Sequence, residues 1–219
     1  MRNVIDTERI CEMDRFFNPD NIMNKILGRI FDLMVLNAVF LVTCLPIFTI
    51  GAALTALYSQ TLKMVKHEDA YIVRSYIREF KASFRRSTLL WLPALALLLL
   101  FGGDLYVIFN VLDKSYRILQ FPVWLLLFAV IAVVLYAFPL TARYEESYKQ
   151  TIVNSIRLAL GNLFVTIFFA VLLIVPADLA LHNGHVAVVL FSTLIFCGGA
   201  ALAAFFSLFF MRIFEKAEK

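Results

Sequence analysis

The stretch TLLWLPALALLLLFGGDLYVIFN, Thr88–Asn110, decides the fold class of this chain. Among its 23 positions only Asp104 is charged. The hydrocarbon core of a bilayer is about 30 Å thick and an α-helix rises about 1.5 Å per residue, so a spanning helix needs roughly 20 apolar residues. This stretch therefore predicts a transmembrane helix.

Three further stretches pass the same test of length and composition: Phe121–Thr141, Leu160–Ala180 and Val186–Met211. The apolar stretch Ile30–Val65 is too long for one straight span and barely long enough for two. The sequence thus predicts an all-α, polytopic transmembrane helical bundle with five or six membrane segments, folded as a single integral membrane domain over residues 1–219.

The composition agrees with a membrane protein and excludes a soluble one. Hydrophobic residues make up 62% of the chain and the mean hydropathy is +0.83, whereas soluble domains contain about 45–50% apolar residues. The formal net charge of +4 comes from basic residues that cluster between apolar blocks, where they indicate topology. We therefore expect the lipid bilayer as a partner and no nucleic acid.

Basic residues concentrate in alternate connections between the apolar blocks. Residues 63–87 carry seven Lys and Arg residues and residues 142–158 carry three, and the C-terminal tail adds more, whereas residues 104–117 and 178–185 are poorer in Lys and Arg. Because positively charged connections stay on the cytoplasmic side, residues 63–87 and 142–158 are predicted to be cytoplasmic amphipathic loops. The C-terminus is then predicted to be cytoplasmic as well.

The motif LPIFTIG, Leu45–Gly51, interrupts the ambiguous stretch, and its Pro46 and Gly51 form a candidate helix break. If the motif reverses the chain near the outer face, six segments result and residues 1–24 form a cytoplasmic or interfacial N-terminal segment. We favour this alternative.

In the other alternative, residues 26–55 form one kinked, tilted helix with an external N-terminus, which gives five segments. An internal echo supports it: LTALY at 54–58 resembles LTARY at 140–144, which is predicted to lie at a cytoplasmic helix end.

Two other features are candidate interaction surfaces. The first is a basic amphipathic helix, which suits a membrane surface or a partner protein; its residues are Tyr76, Phe80, Phe84, Arg74, Arg78, Lys81 and Arg85. The second is a helix-packing face of small residues, which allow helix backbones to approach closely in lipid; its residues are Gly199, Ala200, Ala203 and Ala204.

Catalytic chemistry has no support in the sequence. It lacks the GxSxG elbow, the HExxH motif and a glycine-rich phosphate loop, so we predict no enzyme, no catalytic residues, no cofactor and no metal site. Polar residues inside the apolar blocks are few; Asp32 and Asn37 are the ones that an ion-coupled transporter would use. A stand-alone small-solute transporter that uses the broken helix at LPIFTIG is the alternative function.

Two segments together resemble the YesL-like family of bacterial integral membrane proteins of unknown function. They are NAVFLVTCLPIFTIGAALTALY, Asn37–Tyr58, and YIVRSYIREFKASFRRSTLLWL, Tyr71–Leu92. The resemblance implies a bacterial cytoplasmic-membrane protein whose relatives are commonly encoded beside carbohydrate ABC importers and glycoside hydrolases.

The implied function is that of a non-catalytic accessory or regulatory subunit associated with a carbohydrate ABC importer. The chain differs from the importer permease itself, because its predicted cytoplasmic loops lack the EAA-type motif that docks the ATPase. Importer subunits and a second copy of the chain are therefore the expected protein partners.

Overall fold

The apolar blocks fold as α-helices, as expected where no water is present to satisfy backbone N–H and C=O groups. The computed structural model describes residues 22–66, 71–111, 118–144 and 147–217, and no strand occurs among them. Most of the predicted N-terminal segment, residues 1–24, lies outside the described residues. The helices are α1 Ile22–Cys44, α2 Ile50–Val65, α3 Ile72–Asn110, α4 Gln120–Arg143, α5 Tyr148–Gly161, α6 Leu163–His182, α7 Gly184–Thr193 and α8 Gly199–Ala217, with a 3-10 turn at Ile47–Thr49 and a π-helical segment at Leu194–Gly198.

In the described part of the chain, three helices are long and apolar enough to cross a membrane: α1, α3 and α4. Two bent pairs, α5 with α6 and α7 with α8, bring the number to five if each pair is one span. The predicted all-α membrane bundle is confirmed. The stretch Val186–Met211, predicted as one clean span, is instead two helices bent by 75° about the π-helical segment.

Helix α2 is the segment that the six-segment alternative counts as its second span. It has 16 residues, so it is about 24 Å long and shorter than the hydrocarbon core of about 30 Å. Its residues are buried without interruption from Thr55 to Leu62, and Gly51, Ala52 and Ala53 are buried as well. This helix forms the centre of the bundle, because its small residues let α1, α3, α4 and α8 pack closely around it.

The chain reverses direction between α1 and α2. Arg29 Nη1, near the start of α1, donates a hydrogen bond to the carbonyl oxygen of Met64 near the end of α2, at 3.1 Å. These residues are 35 positions apart, which in one continuous helix would separate them by about 50 Å. The structure therefore has the reversal at LPIFTIG and not one kinked helix through residues 26–55.

Helix α3 runs antiparallel to α2. Thr55 and Ser87 share a hydroxyl hydrogen bond of 2.8 Å, and Lys63 pairs with Glu79 at 3.0 Å. With 39 residues, α3 is roughly 60 Å long, about twice the thickness of a hydrocarbon core. The amphipathic part of residues 63–87 is thus the first half of the helix whose second half is the apolar block 88–110.

Aromatic side chains fill the space between α2, α4, α6 and α8. Phe210 of α8 is fully buried and lies 6.0 Å from the ring of Tyr58, 5.2 Å from Tyr136 and 5.8 Å from Phe169. Hydroxyl pairs set the register of the same helices, with Thr61 and Ser207 at 2.8 Å and Tyr136 and Thr166 at 3.1 Å.

Candidate functional site

The LPIFTIG break is a closed turn in the structure. Pro46 cannot donate to the preceding turn of helix, and the helix ends before it, at Cys44. Thr49 Oγ1 lies 2.6 Å from the carbonyl oxygens of Thr43 and Pro46, and Trp91 Nε1 donates to the carbonyl of Ile47 at 2.8 Å. The backbone acceptors that the break releases are thus bound by side chains of the chain itself, which is the arrangement of a structural turn.

Gly51 serves a different purpose from Pro46. A Cβ atom at Gly51 would lie 2.5 Å from Trp91 Cβ and 2.7 Å from the carbonyl oxygen of Ser87. Only glycine lets α3 approach α2 this closely. The two residues of the candidate break therefore act at two contacts, the end of α1 and the α2–α3 interface.

The aromatic face of the amphipathic helix packs on α2. Tyr76 is fully buried, and its hydroxyl lies 2.6 Å from Thr43 Oγ1 and donates to the carbonyl of Ala53 at 3.4 Å. Phe80 and Phe84 are half-buried and continue the row of rings. The prediction that Tyr76 faces lipid or a partner is wrong, because the helix that follows LPIFTIG already covers it.

The basic face of the same helix is open. Four predicted residues, Arg74, Arg78, Lys81 and Arg85, are exposed. A long cationic side chain on the surface of a membrane-protein helix can lie at the headgroup level, beside anionic lipid. The four cations are therefore the part of the predicted amphipathic surface that is accessible to lipid or to a partner.

The small-residue face packs against the chain's own first helix. A Cβ atom at Gly199 would lie 2.9 Å from Asn37 Oδ1 and 3.2 Å from the ring of Phe40, both in α1. Ala200 and Ala203 are buried, and Ala204 is half-buried. Gly199 and Ala200 contact α1 and Ala203 is buried, so most of this face is closed to another protein.

Asn37 joins α1 to the bend between α7 and α8. Its Nδ2 donates to the carbonyl oxygens of Leu194 and Ile195, each at 2.8 Å, and its Oδ1 accepts from the N–H of Ala200 at 3.1 Å. These are backbone groups that a π-helical segment leaves without regular partners. A polar residue in an apolar block signals such a contact, but sequence alone could not show which helix it meets.

A groove lies between the middle of α1 and the start of α3, with a volume of about 820 Å³. Tyr71 and Phe31, on its walls, are 86% and 65% exposed. The groove is lined by Phe31, Asp32, Val35, Tyr71, Ile72, Val73, Arg74 and Ile77. It combines exposed aromatic rings, aliphatic side chains and both signs of charge, a composition that suits a protein interface.

A second cavity, the α3–α4 cleft, is almost wholly apolar and has a volume of about 370 Å³. It is lined by Leu90, Pro93, Ala94, Leu97 and Phe101 of α3, by Leu126, Ala129, Val130, Val133, Val134, Ala137 and Phe138 of α4, and by Tyr148 and Ile152 of α5. Neither cavity was predicted from the sequence, because each depends on how helices far apart in the chain diverge.

Within the described ranges, no group of three or more His, Cys, Asp or Glu side chains is placed to hold a metal ion. The groove and the α3–α4 cleft are two features of the described structure that have the shape of a binding site.

Residues 33–105 match the family described as protein of unknown function, DUF624. The matched segment covers the second half of α1, all of α2 and most of α3. This region also carries the YesL-like resemblance, which the match confirms. No curated protein and no solved structure matches the chain.

Proposed function

We propose that this chain is a non-catalytic accessory or regulatory subunit of a carbohydrate ABC importer in the bacterial cytoplasmic membrane. The groove between α1 and α3 carries the proposal. Its aromatic and aliphatic walls sit beside Asp32 and the exposed cation Arg74. Interfaces are enriched in such aromatic and Arg side chains, which supply most of the binding energy.

The position of the groove suits a partner that is itself a membrane protein. It lies between the middle of α1 and the start of α3, towards the end of the bundle where Arg29 meets Met64 and Lys63 meets Glu79. Under the positive-inside rule this end faces the cytoplasm. In this proposal an importer membrane subunit docks there through a cytoplasmic or interfacial segment, and the C-terminus of the chain is cytoplasmic.

The test is affinity purification of the tagged protein from its native host in mild detergent. We expect importer subunits at stoichiometric amounts with the wild-type chain, and their loss when Phe31→Ser and Tyr71→Ser are combined. Phe164→Ser is the matched control, because Phe164 is 87% exposed on α6, outside the groove.

Recovery of the wild-type chain without importer subunits, in repeated preparations, would overturn the proposal. If the double variant recovers importer subunits in the same amounts as the wild-type chain, the association is real but the groove is not the surface that mediates it.

A further inference from the structure

The length of the α3–α4 cleft along its helices is close to the thickness of one lipid leaflet. Its two long walls are α3 and α4, which also contact each other through Trp91 and Phe138, with ring centroids 6.1 Å apart. Along α3 the lining extends over 11 positions from Leu90 to Phe101, a rise of about 16 Å. Half of a hydrocarbon core of about 30 Å is nearly the same length.

One end of the cleft is closed by α5 and carries a cation. Arg86 precedes Leu90 by one helical turn, and its Nη2 donates to Thr151 Oγ1 at 3.4 Å. Thr151 lies on α5 between Tyr148 and Ile152, the two α5 residues that line the cleft. The guanidinium of Arg86 is therefore beside the α5 end of the apolar walls, just outside the lining residues, where the basic segment meets the apolar block 88–110.

The Nε atom of Arg86 is buried and has no hydrogen-bond partner in the described part of the structure. A buried donor without an acceptor is destabilising, more so when the group is charged. The Arg86 side chain as a whole is partly exposed, so a phosphate can approach the guanidinium from outside, and guanidinium groups bind phosphate through charge-assisted and often bidentate hydrogen bonds.

We propose that the α3–α4 cleft is a binding site for an anionic phospholipid. One acyl chain lies between α3 and α4, and the lipid phosphate binds Arg86. An apolar cleft of leaflet length with a guanidinium at its interfacial end matches an amphiphile that has these two parts. The site lies on other helices than the docking groove and does not depend on it.

The experiment is native mass spectrometry of the detergent-purified full chain titrated with dioleoyl phosphatidylglycerol or, separately, dioleoyl phosphatidylcholine. We expect one tightly held phosphatidylglycerol per chain, and weaker binding of phosphatidylcholine. Arg86→Gln should weaken phosphatidylglycerol binding about tenfold and abolish the preference between the lipids, since a charge-assisted contact is lost. Arg86→Lys should restore part of the preference.

Two matched pairs separate the site from general lipid adsorption. Arg85→Gln removes an exposed cation next to Arg86 and should leave binding unchanged. Ala94→Phe fills the cleft and should weaken the binding of both lipids, whereas Ala96→Phe, on the exposed side of α3 and outside the lining, should not. Circular dichroism and size-exclusion chromatography establish that each variant is folded.

Equal affinity for the two lipids, or non-saturating uptake of several lipids per chain, would overturn the proposal. So would a folded Ala94→Phe variant that binds phosphatidylglycerol like the wild type, an outcome that does not depend on whether Arg86→Gln folds.

Discussion

At the scale of single residues, Asn37 shows how a polar side chain stabilises an apolar bundle. It is fully buried, and its amide uses both donors and its acceptor on backbone groups of the bend between α7 and α8. Buried polar groups are tolerated in a membrane when such partners exist. The interpretation of Asn37 as an ion-coupling residue has no support from these contacts.

Replacing Asn37 by Leu should therefore lower the free energy of unfolding by about 1–2 kcal/mol, because three backbone partners lose a hydrogen bond. The measurement is unfolding of the detergent-solubilised protein by titration with sodium dodecyl sulfate. Ser192→Ala is the control; its hydroxyl is exposed and bonds only within its own helix, so a change within about 0.5 kcal/mol is expected. Equal stability of Asn37→Leu and wild type would contradict the assignment.

Gly51 is a second residue whose identity is required by the packing of the helices. Gly51→Ala should destabilise the protein by about 1–3 kcal/mol, since the new methyl group overlaps Trp91 and the α3 backbone. Gly28→Ala is the matched control on α1, where a Cβ meets no atom within 4 Å. The same titration should show Gly28→Ala unchanged or slightly more stable, because alanine favours helix. If both variants behave alike, the close approach of α2 and α3 is wrong.

At the scale of helices, the reversal at LPIFTIG determines the end of the bundle at which α1 starts. Arg29 and Met64 lie together, so the start of α1 and the end of α2 are at the same end of the bundle. The similarity between LTALY and LTARY favoured the single kinked helix, which the structure does not have. A match of five residues carries no information on the direction of the chain.

Accessibility to reagents tests the reversal. Cysteines introduced at Gly28 and Lys66, both exposed, should react with a membrane-impermeant maleimide from the same side of the membrane. The background protein has Cys11, Cys44 and Cys197 replaced by Ser, and by itself provides the unlabelled control. Labelling of the two positions from opposite sides would restore the single kinked helix and the external N-terminus.

Helix α3 is one continuous helix that the sequence analysis treated as two separate segments. A hydropathy profile separates residues 63–87 from the block 88–110, because one part is amphipathic and the other apolar. The backbone continues through both, since α2 supplies the apolar surface on which the first half of α3 packs. The predicted amphipathic helix is present, but Tyr76 on its aromatic face is buried inside the bundle, and Phe80 and Phe84 are half-buried.

At the scale of the whole molecule, the aromatic cluster around Phe210 joins four helices that are distant in sequence. Phe210→Ala should lower the free energy of unfolding by about 3–5 kcal/mol, the usual cost of truncating a buried Phe. Phe164→Ala removes a ring of the same size that is 87% exposed, and should change stability by no more than about 0.5 kcal/mol. Denaturant titration of both variants measures these free energies of unfolding. A similar loss of stability in the two variants would show that Phe210 is not a core residue.

The sequence by itself determined the class of the protein. Length and hydropathy are local properties, and they suffice to predict the membrane environment, the apolar half of α3 and helix α4, because a bilayer demands about 20 apolar residues in a row. They did not show that the last apolar stretch is divided into two helices. The family resemblance was equally local, and its segment is the one that the DUF624 family matches.

Only the tertiary structure decided which helix each polar and small residue meets. Asn37 bonds to residues 157 and 158 positions away, Gly199 packs on α1, and Tyr76 is buried by α2 and not by lipid. No pattern of hydrophobicity encodes these contacts, because in lipid the association of helices depends on shape and hydrogen bonding, which form only when the helices meet. The groove and the α3–α4 cleft exist for the same reason, as spaces between helices.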